Sequence, residues 1–521
     1  MQPNETTPEK PPAAETVAAV DIGTNALRMV IAQVFPDGTI EPLERLQRAV
    51  RLGQDTFRRG RLGGQSMTAA VAILRDYRQL LNLYRVERVR AVATSAVREA
   101  GNADTFLDRI FIATGLNVEI IGTSEECRLT VSALLQAVGS AMEVKRDATL
   151  VVDVGGGSTL LTLLQEGEIV TSLSLRLGAI RLQEVLATSE ESPQRSVELL
   201  RRNTAKILST VQTSLPLERV TTFVAAGGDA RFAAHHVGRP AAVADLAVVD
   251  AESFDRLLRR CERQAPEELV KRYGLPFAEA ETLVPALIVY QTFLRKLGLK
   301  EMVVSHVSMR DGLLLEMAYE VTGQHDEALV EGIVHSAMAL GEKYRADAEH
   351  ARNVADLALR LFDFLRADHG LGKRQRLLLH VAALLHEVGA FVSARAHHKH
   401  SHYLIANSEI FGLNRDEIEI VAQIARYHRR SPPKPSHAEY MALSRGTRVT
   451  ISKLAALLRV ADALVRGHAK EVRHISIERQ EDDLVVFVAG VADFLLEQRA
   501  LALKADLFED VYGMRVRLEE A

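Results

Sequence analysis

Cysteine is nearly absent from this chain: its 521 residues carry only two, Cys127 and Cys261. Two thiols cannot build a disulfide framework, which excludes the small stapled folds of oxidising compartments and fits a reducing one. Long apolar runs are missing as well. None approaches the ~20 residues needed to cross a bilayer, so no membrane partner is expected. Neither sign of charge dominates; the formal net charge is -4. Nothing global attracts a polyanion, no DNA partner is expected, and an anionic ligand must be drawn in by local basic clusters or metal ions. The opening residues 1–16, MQPNETTPEKPPAAET, lack the basic start and apolar stretch of a signal peptide. They read as a disordered tail on a cytoplasmic protein. Two familiar phosphate signatures are also missing. No G-x-x-x-x-G-K-[ST] occurs, and no G-x-G-x-x-G leads from a strand into a helix, which excludes a P-loop and a dinucleotide fold.

What is present is a repeated sentence. VAAVDIGTNALRMVIAQV (Val17 to Val34) and TLVVDVGGGSTLLTLL (Thr149 to Leu164) share one plan. An apolar run ends in Asp, a Gly-centred turn with a hydroxyl residue follows, and a second apolar run completes the unit. Here the glycine turn joins strand to strand. Gly23 in the first copy and Gly155, Gly156 and Gly157 in the second let backbone N–H groups approach an anion closely. Thr24, Asn25, Ser158 and Thr159 add side-chain donors. Asp21 and Asp153 supply one carboxylate per copy, hard oxygen donors suited to Mg²⁺. Arg28, on the strand after the first turn, is either a further cation near the phosphates or a solvent-facing residue, and the sequence leaves both open.

The chain is too long for one core; at roughly 100–200 residues per domain, three or four domains are expected. Both halves of the first 324 residues begin with a three-stranded meander, turning at Pro36-Asp37-Gly38 and at Gln165-Glu166-Gly167, and then change to helical spacing. Met67 to Tyr84 reads as a helix, Val89 to Thr94 and Val118 to Ile121 as strands. Ser124 reads as the N-cap of a helix carrying Glu125 and Glu126. Ser196 to Leu215 reads as a helix and Thr222 to Ala226 as a strand ending in Gly227-Gly228. The fold class is therefore α/β, two related domains at 17–140 and 141–324 facing each other across a cleft. From 325 to 471 strands vanish and long helical periods dominate, while 472–521 alternates again as a small α+β domain.

The two turns, together with FVAAGGDARFAA from Phe223, resemble the phosphate and adenosine motifs of the actin-like ATPase superfamily, a ribonuclease H-like fold. Within it the chain resembles the exopolyphosphatase / guanosine pentaphosphate phosphohydrolase family, through AVATSAVREA, IGTSEECRLT, LRLGAIRL, VVSHVSMRDGLLLEM, LLHEVG, HHKHSHYLI and RYHRR. It is similar to the long members, which add an all-α HD-like domain and a small terminal domain. The resemblance implies hydrolysis of terminal phosphoanhydride bonds in inorganic polyphosphate or guanosine pentaphosphate. It implies Mg²⁺ as cofactor, leaves K⁺ open, and implies a homodimer. It gives Glu126 the part of catalytic glutamate, which read alone is an acid complementing a helix N-terminus. Arg98 takes the part of the phosphate-contacting arginine, Asp21 and Asp153 hold metal, and Gly227 and Gly228 belong to the third motif. Asp229, where members commonly carry a hydroxyl residue, weakens nucleotide binding at that motif.

His350, His386 with Glu387, and Asp462 follow the H…HD…D order of metal-dependent HD phosphohydrolases. Glu in place of Asp is expected to displace the carboxylate oxygens by more than about 1 Å, so a degenerate domain kept for structure and binding is expected. His397, His398, Lys399, His400 and His402, with His428, Arg429, Arg430 and Lys434, form the richest basic run. It reads as a solvated basic loop; the resemblance implies a channel for polyphosphate instead. Two other classes compete: an actin-like phosphotransferase, and a non-catalytic sensor of polyphosphate or nucleotide.

Overall fold

A computed structural model of the protein describes residues 14–138, 148–188, 191–211, 215–243, 245–323, 327–465, 475–488 and 495–520. Most of the expected tail, and the expected boundaries near 140, 324 and 471, lie outside the described residues. The chain forms two compact units, Met1–Asp326 and Glu327–Ala521.

The first unit contains two sheets built on one plan. β1 (Glu15–Ile22), β2 (Ala26–Val34), β3 (Ile40–Ala49), β4 (Arg88–Ala93) and β5 (Val118–Ile120) lie in the order β3-β2-β1-β4-β5. β6 (Ala148–Val154), β7 (Thr159–Gln165), β8 (Glu168–Leu175), β9 (Val220–Ala226), β10 (Arg239–Pro240), β11 (Leu246–Asp250) and β12 (Glu301–Ser305) lie in the order β10-β11-β12-β9-β6-β7-β8. In both, the strand ending in Asp pairs antiparallel with the next strand and parallel with the one that follows the helical stretch. The repeat in sequence is thus a repeat in topology.

Central position explains why β1 is apolar without alternation. Ala18, Val20 and Ile22 pack with Met67, Ala70 and Leu74 of the helix Gly64–Leu83. Val17 and Ala19 pack with Leu313 and Met317 of the helix Met309–Thr322 on the other face. A strand covered on both faces is apolar along its middle. β3, at the edge, is mostly exposed and charged, which suits an unpaired edge.

The second unit is helical from Glu327 to Leu464 and ends in a three-stranded sheet of β13 (Ile475–Gln480), β14 (Asp483–Val488) and β15 (Arg515–Glu520), order β13-β14-β15. Fully buried Arg459 ties the two parts. Its guanidinium donates to the carbonyls of Lys504, Tyr427 and Arg430 at 2.8, 3.2 and 3.1 Å and to Asp506 Oδ1 at 2.6 Å. A buried arginine is tolerable only when its donors are met in this way.

Candidate active site

The two glycine turns are the same hairpin twice. Gly23 N donates to Ala26 O at 3.1 Å, and Gly155 N donates to Ser158 O at 2.9 Å. Each turn then accepts from the helix that follows. Gly53 N reaches Thr24 O at 2.9 Å, and Ile180 N reaches Gly156 O at 2.9 Å. The turns meet: a Cβ on Gly157 would lie 2.2 Å from Ser95 Oγ and 2.6 Å from the Phe57 ring, so only glycine fits there. Thr24 Oγ1 and Ser95 Oγ share a hydrogen bond of 3.0 Å beside it. Arg181 braces the second turn, donating to Gly157 O at 2.6 Å and lying 3.9 Å over the Phe57 ring.

Both turns open on one cleft of about 400 Å³. Asp21, Gly23, Thr24, Asn25, Glu126, Asp153, Gly155 to Ser158, Gly227 and Gly228 all line it. Gly227 holds φ at +109°, a conformation that favours glycine, and a Cβ there would lie 2.9 Å from the Tyr290 hydroxyl and 3.1 Å from Asp153 Oδ1. Tyr290 links the ends of β6 and β9: its hydroxyl donates to Ala226 O and accepts from Val154 N. Asn25 reaches across to the second half, donating to Ala278 O at 2.6 Å.

Glu126 sits in the first turn of the helix Thr123–Val138, which starts one residue before the expected cap Ser124. Its side chain is buried, and Arg98 Nη1 donates to Oε1 at 2.7 Å while also donating to Ile121 O at 2.5 Å. Burial pushes the Glu126 carboxyl up to about 7; Arg98 pulls it down, and Asp21 and Asp153 push it further up. Burial raises Asp153 as well, and among the described residues its carboxylate has no hydrogen-bond or ion-pair partner. Asp229 is pushed up to about 7 by burial and by Glu279.

Arginines supply the opposite charge. Arg310 Nη1 donates to Asp21 Oδ2 at 3.0 Å, and Arg28 Nη1 lies 3.7 Å from the same oxygen. Arg28 therefore faces the cleft. Arg231 lines it too. Sequence reasoning passed over Arg310 and Arg231. The signal was available in VSMRDG, where Ser308 and Asp311 form a capping box that opens the helix carrying Arg310.

The basic run in the second unit is not one exposed face. His398 and His428 are buried, along with His397. Burial lowers His398 to about 4 and holds His428 well below its ordinary value, so neither carries charge near neutrality. Lys399 and Arg430 are exposed, and His400 and Arg429 half-buried. The run also begins a helix, His397–Ala406, rather than a loop. Glu387 Oε2 lies 3.9 Å from His350 Nε2.

Residues 30–321, more than half of the chain, match the Ppx/GppA phosphatase family, and residues 334–510 match Ppx/GppA phosphatase, domain III. The chain belongs to the Ppx/GppA phosphatase family. It is 32% identical over 325 residues to exopolyphosphatase 2 of Mycobacterium tuberculosis, covering 59% of this chain and 99% of that protein. It is 24% identical over 434 residues to guanosine-5'-triphosphate,3'-diphosphate pyrophosphatase of Photobacterium profundum, covering 81% of this chain and 82% of that one. The crystal structure of an exopolyphosphatase from Cytophaga hutchinsonii shares the fold, with a TM-score of 0.53 and 23% identity over 60% of this chain and 100% of that chain. As a Ppx/GppA member the protein is a hydrolase of the phosphatase type. No helix among the described residues is long and apolar enough to cross a membrane.

Proposed function

We propose that the protein is an exopolyphosphatase that releases orthophosphate from the ends of inorganic polyphosphate, with water as acceptor. The observation that carries this reading is the buried Glu126 carboxylate, held by Arg98 in the cleft where both glycine hairpins open. Phosphoryl transfer to water asks for a positioned water, neutralised phosphate charge and little else. Glu126 takes a proton from the attacking water as its oxygen bonds to the terminal phosphorus; the bond to the bridging oxygen breaks and the shortened chain leaves. A carboxylate poised near 7 suits that exchange. Arg98 offers a planar fork to phosphate oxygens, and the N–H groups of Thr24 and Asn25 and of Gly156 to Ser158 surround the rest.

Asp21 and Asp153 fit a hard divalent cation, because the half-buried Asp153 carboxylate has no hydrogen-bond or ion-pair partner among the described residues and Asp21 faces the same cleft. Mg²⁺ bound there supplies neutralisation of phosphate charge. K⁺ has no assigned residue. We read the two halves as actin-like domains and the second unit as HD-like helices with an α+β cap. Lys399, His400, Arg429 and Arg430 are read as guiding the polyanion, without His398 and His428. The homodimer and cytoplasmic location come with the family resemblance.

Guanosine pentaphosphate is the second reading, favoured by the Photobacterium relative, whose match runs into the second unit. Turnover on long polyphosphate and on the nucleotide, measured side by side, separates the two. Faster turnover of polyphosphate by at least tenfold supports the first reading; the reverse supports the second. Phosphate release without any organic acceptor excludes a phosphotransferase.

A further inference from the structure

The helix Thr123–Val138 buries three charged side chains near its start: Glu125, Glu126 and Arg128. Glu126 lines the cleft, whereas Glu125 and Arg128 are not among its lining residues. Arg128 Nε and Nη2 donate to Glu125 Oε2 and Oε1 at 2.8 and 2.6 Å, a bidentate pair. Nη2 also donates to Glu316 Oε1, and Arg90 Nη1 donates to the other oxygen, Glu316 Oε2. Arg90 Nη2 lies 3.5 Å from Glu125 Oε1, which closes the ring, and 3.5 Å from Glu119 Oε2 on β5.

Three elements meet at Glu316, and each delivers a residue to the cleft. The helix Met309–Thr322 carries Glu316 and also Arg310, which donates to Asp21. The helix Thr123–Val138 carries Arg128 and Glu126. β4 carries Arg90 and runs into the short helix Ser95–Arg98, whose Arg98 holds Glu126. The two long helices touch backbone to backbone: a Cβ on Gly312 would lie 2.1 Å from Leu129 O. Stability alone does not account for the charges at this crossing, because apolar residues of similar volume commonly replace a buried ion network without loss. A bidentate arginine fixes angle as well as distance, which apolar packing does less sharply.

We propose that Glu316 is a positioning residue for the hydrolysis, setting through Arg128 and Arg90 where the Glu126 carboxylate stands relative to Asp21 and Arg310. The role rests on the reading of Glu126 as the base. Without the Glu316 charge, Arg90 and Arg128 are left with the carboxylates of Glu119 and Glu125, and the helix carrying Glu126 loses its anchor to the helix carrying Arg310. A displacement of ~1 Å at a reacting group costs about 10² in rate.

The test measures orthophosphate release by the full chain from long polyphosphate or guanosine pentaphosphate, whichever turns over faster. Glu316→Gln keeps the shape and removes the charge; the side chain is 21% exposed, so water reaches the site and the variant folds, which its Tm checks. Arg128→Lys keeps the charge and removes the fork, and its kcat decides if the first variant does not fold. Each is expected to lower kcat by about tenfold to hundredfold with KM within about threefold. A residue that acts through Glu126 has nothing to position once that carboxylate is gone. In a Glu126→Gln background, Glu316→Gln should therefore lower kcat by less than about twofold. An equal loss in both backgrounds, a loss carried by KM, or a wild-type kcat overturns the proposal. Slow Glu126→Gln beside unaltered Glu316→Gln fails the positioning role alone, whereas Glu126→Gln at the wild-type rate fails the base and the positioning role together.

Discussion

Arg98 Nη1 donates to Glu126 Oε1 at 2.7 Å and to Ile121 O at 2.5 Å. One guanidinium therefore fixes the rotamer of the candidate base and anchors it to the end of β5. Lysine carries the charge without the fork. Arg98→Lys is expected to lower kcat by on the order of 10², with a smaller change in KM. Steady-state kinetics check this; an unchanged kcat counts against a positioning role.

The pH profile follows from the same carboxyl. Glu126 must be ionised to accept a proton, and burial pushes it up to about 7. The acid limb of kcat/KM should fall near pH 7. Asp21 and Asp153 contribute to that rise, so a cation between them lowers it. Raising Mg²⁺ should therefore move the limb to lower pH. A limb fixed near pH 4.5, the ordinary value for glutamate, contradicts the account.

Asp229 gives a stability prediction of definite sign. Its folded-state carboxyl is pushed from 3.8 to about 7 by burial and Glu279. Between those values the unfolded chain ionises while the folded one does not, so stability falls as pH rises through this window. Asp229→Asn should raise Tm at pH 8 and leave it nearly unchanged at pH 3.5. Thermal melts at the two pH values decide; an equal effect at both sinks the assignment.

Lys399 and Arg430 are exposed cations of the basic run. Lys399→Ala with Arg430→Ala should raise KM for long polyphosphate severalfold more than for short. Phosphate-release assays on chains of two lengths read this out. Equal loss on both lengths counts against a guiding role.

Much of the cleft was legible because its chemistry repeats. Asp21 and Asp153 stand two residues before Gly23 and Gly155, and the shared offset marks the hairpins before any coordinates. Arg310 was not legible as a cleft residue, because it comes from a helix far along the chain and meets Asp21 only through packing. The histidines misled for a related reason. Composition counts His398 and His428 as cationic, whereas burial removes the charge, and helical turns at His397–Ala406 decide which residues face inward.

The most direct test is orthophosphate release from long polyphosphate by the wild type and Glu126→Gln at saturating Mg²⁺. The account predicts a loss in kcat of about 10² to 10⁴ in the variant, with polyphosphate affinity kept within about threefold. Turnover by Glu126→Gln at the wild-type rate would contradict it.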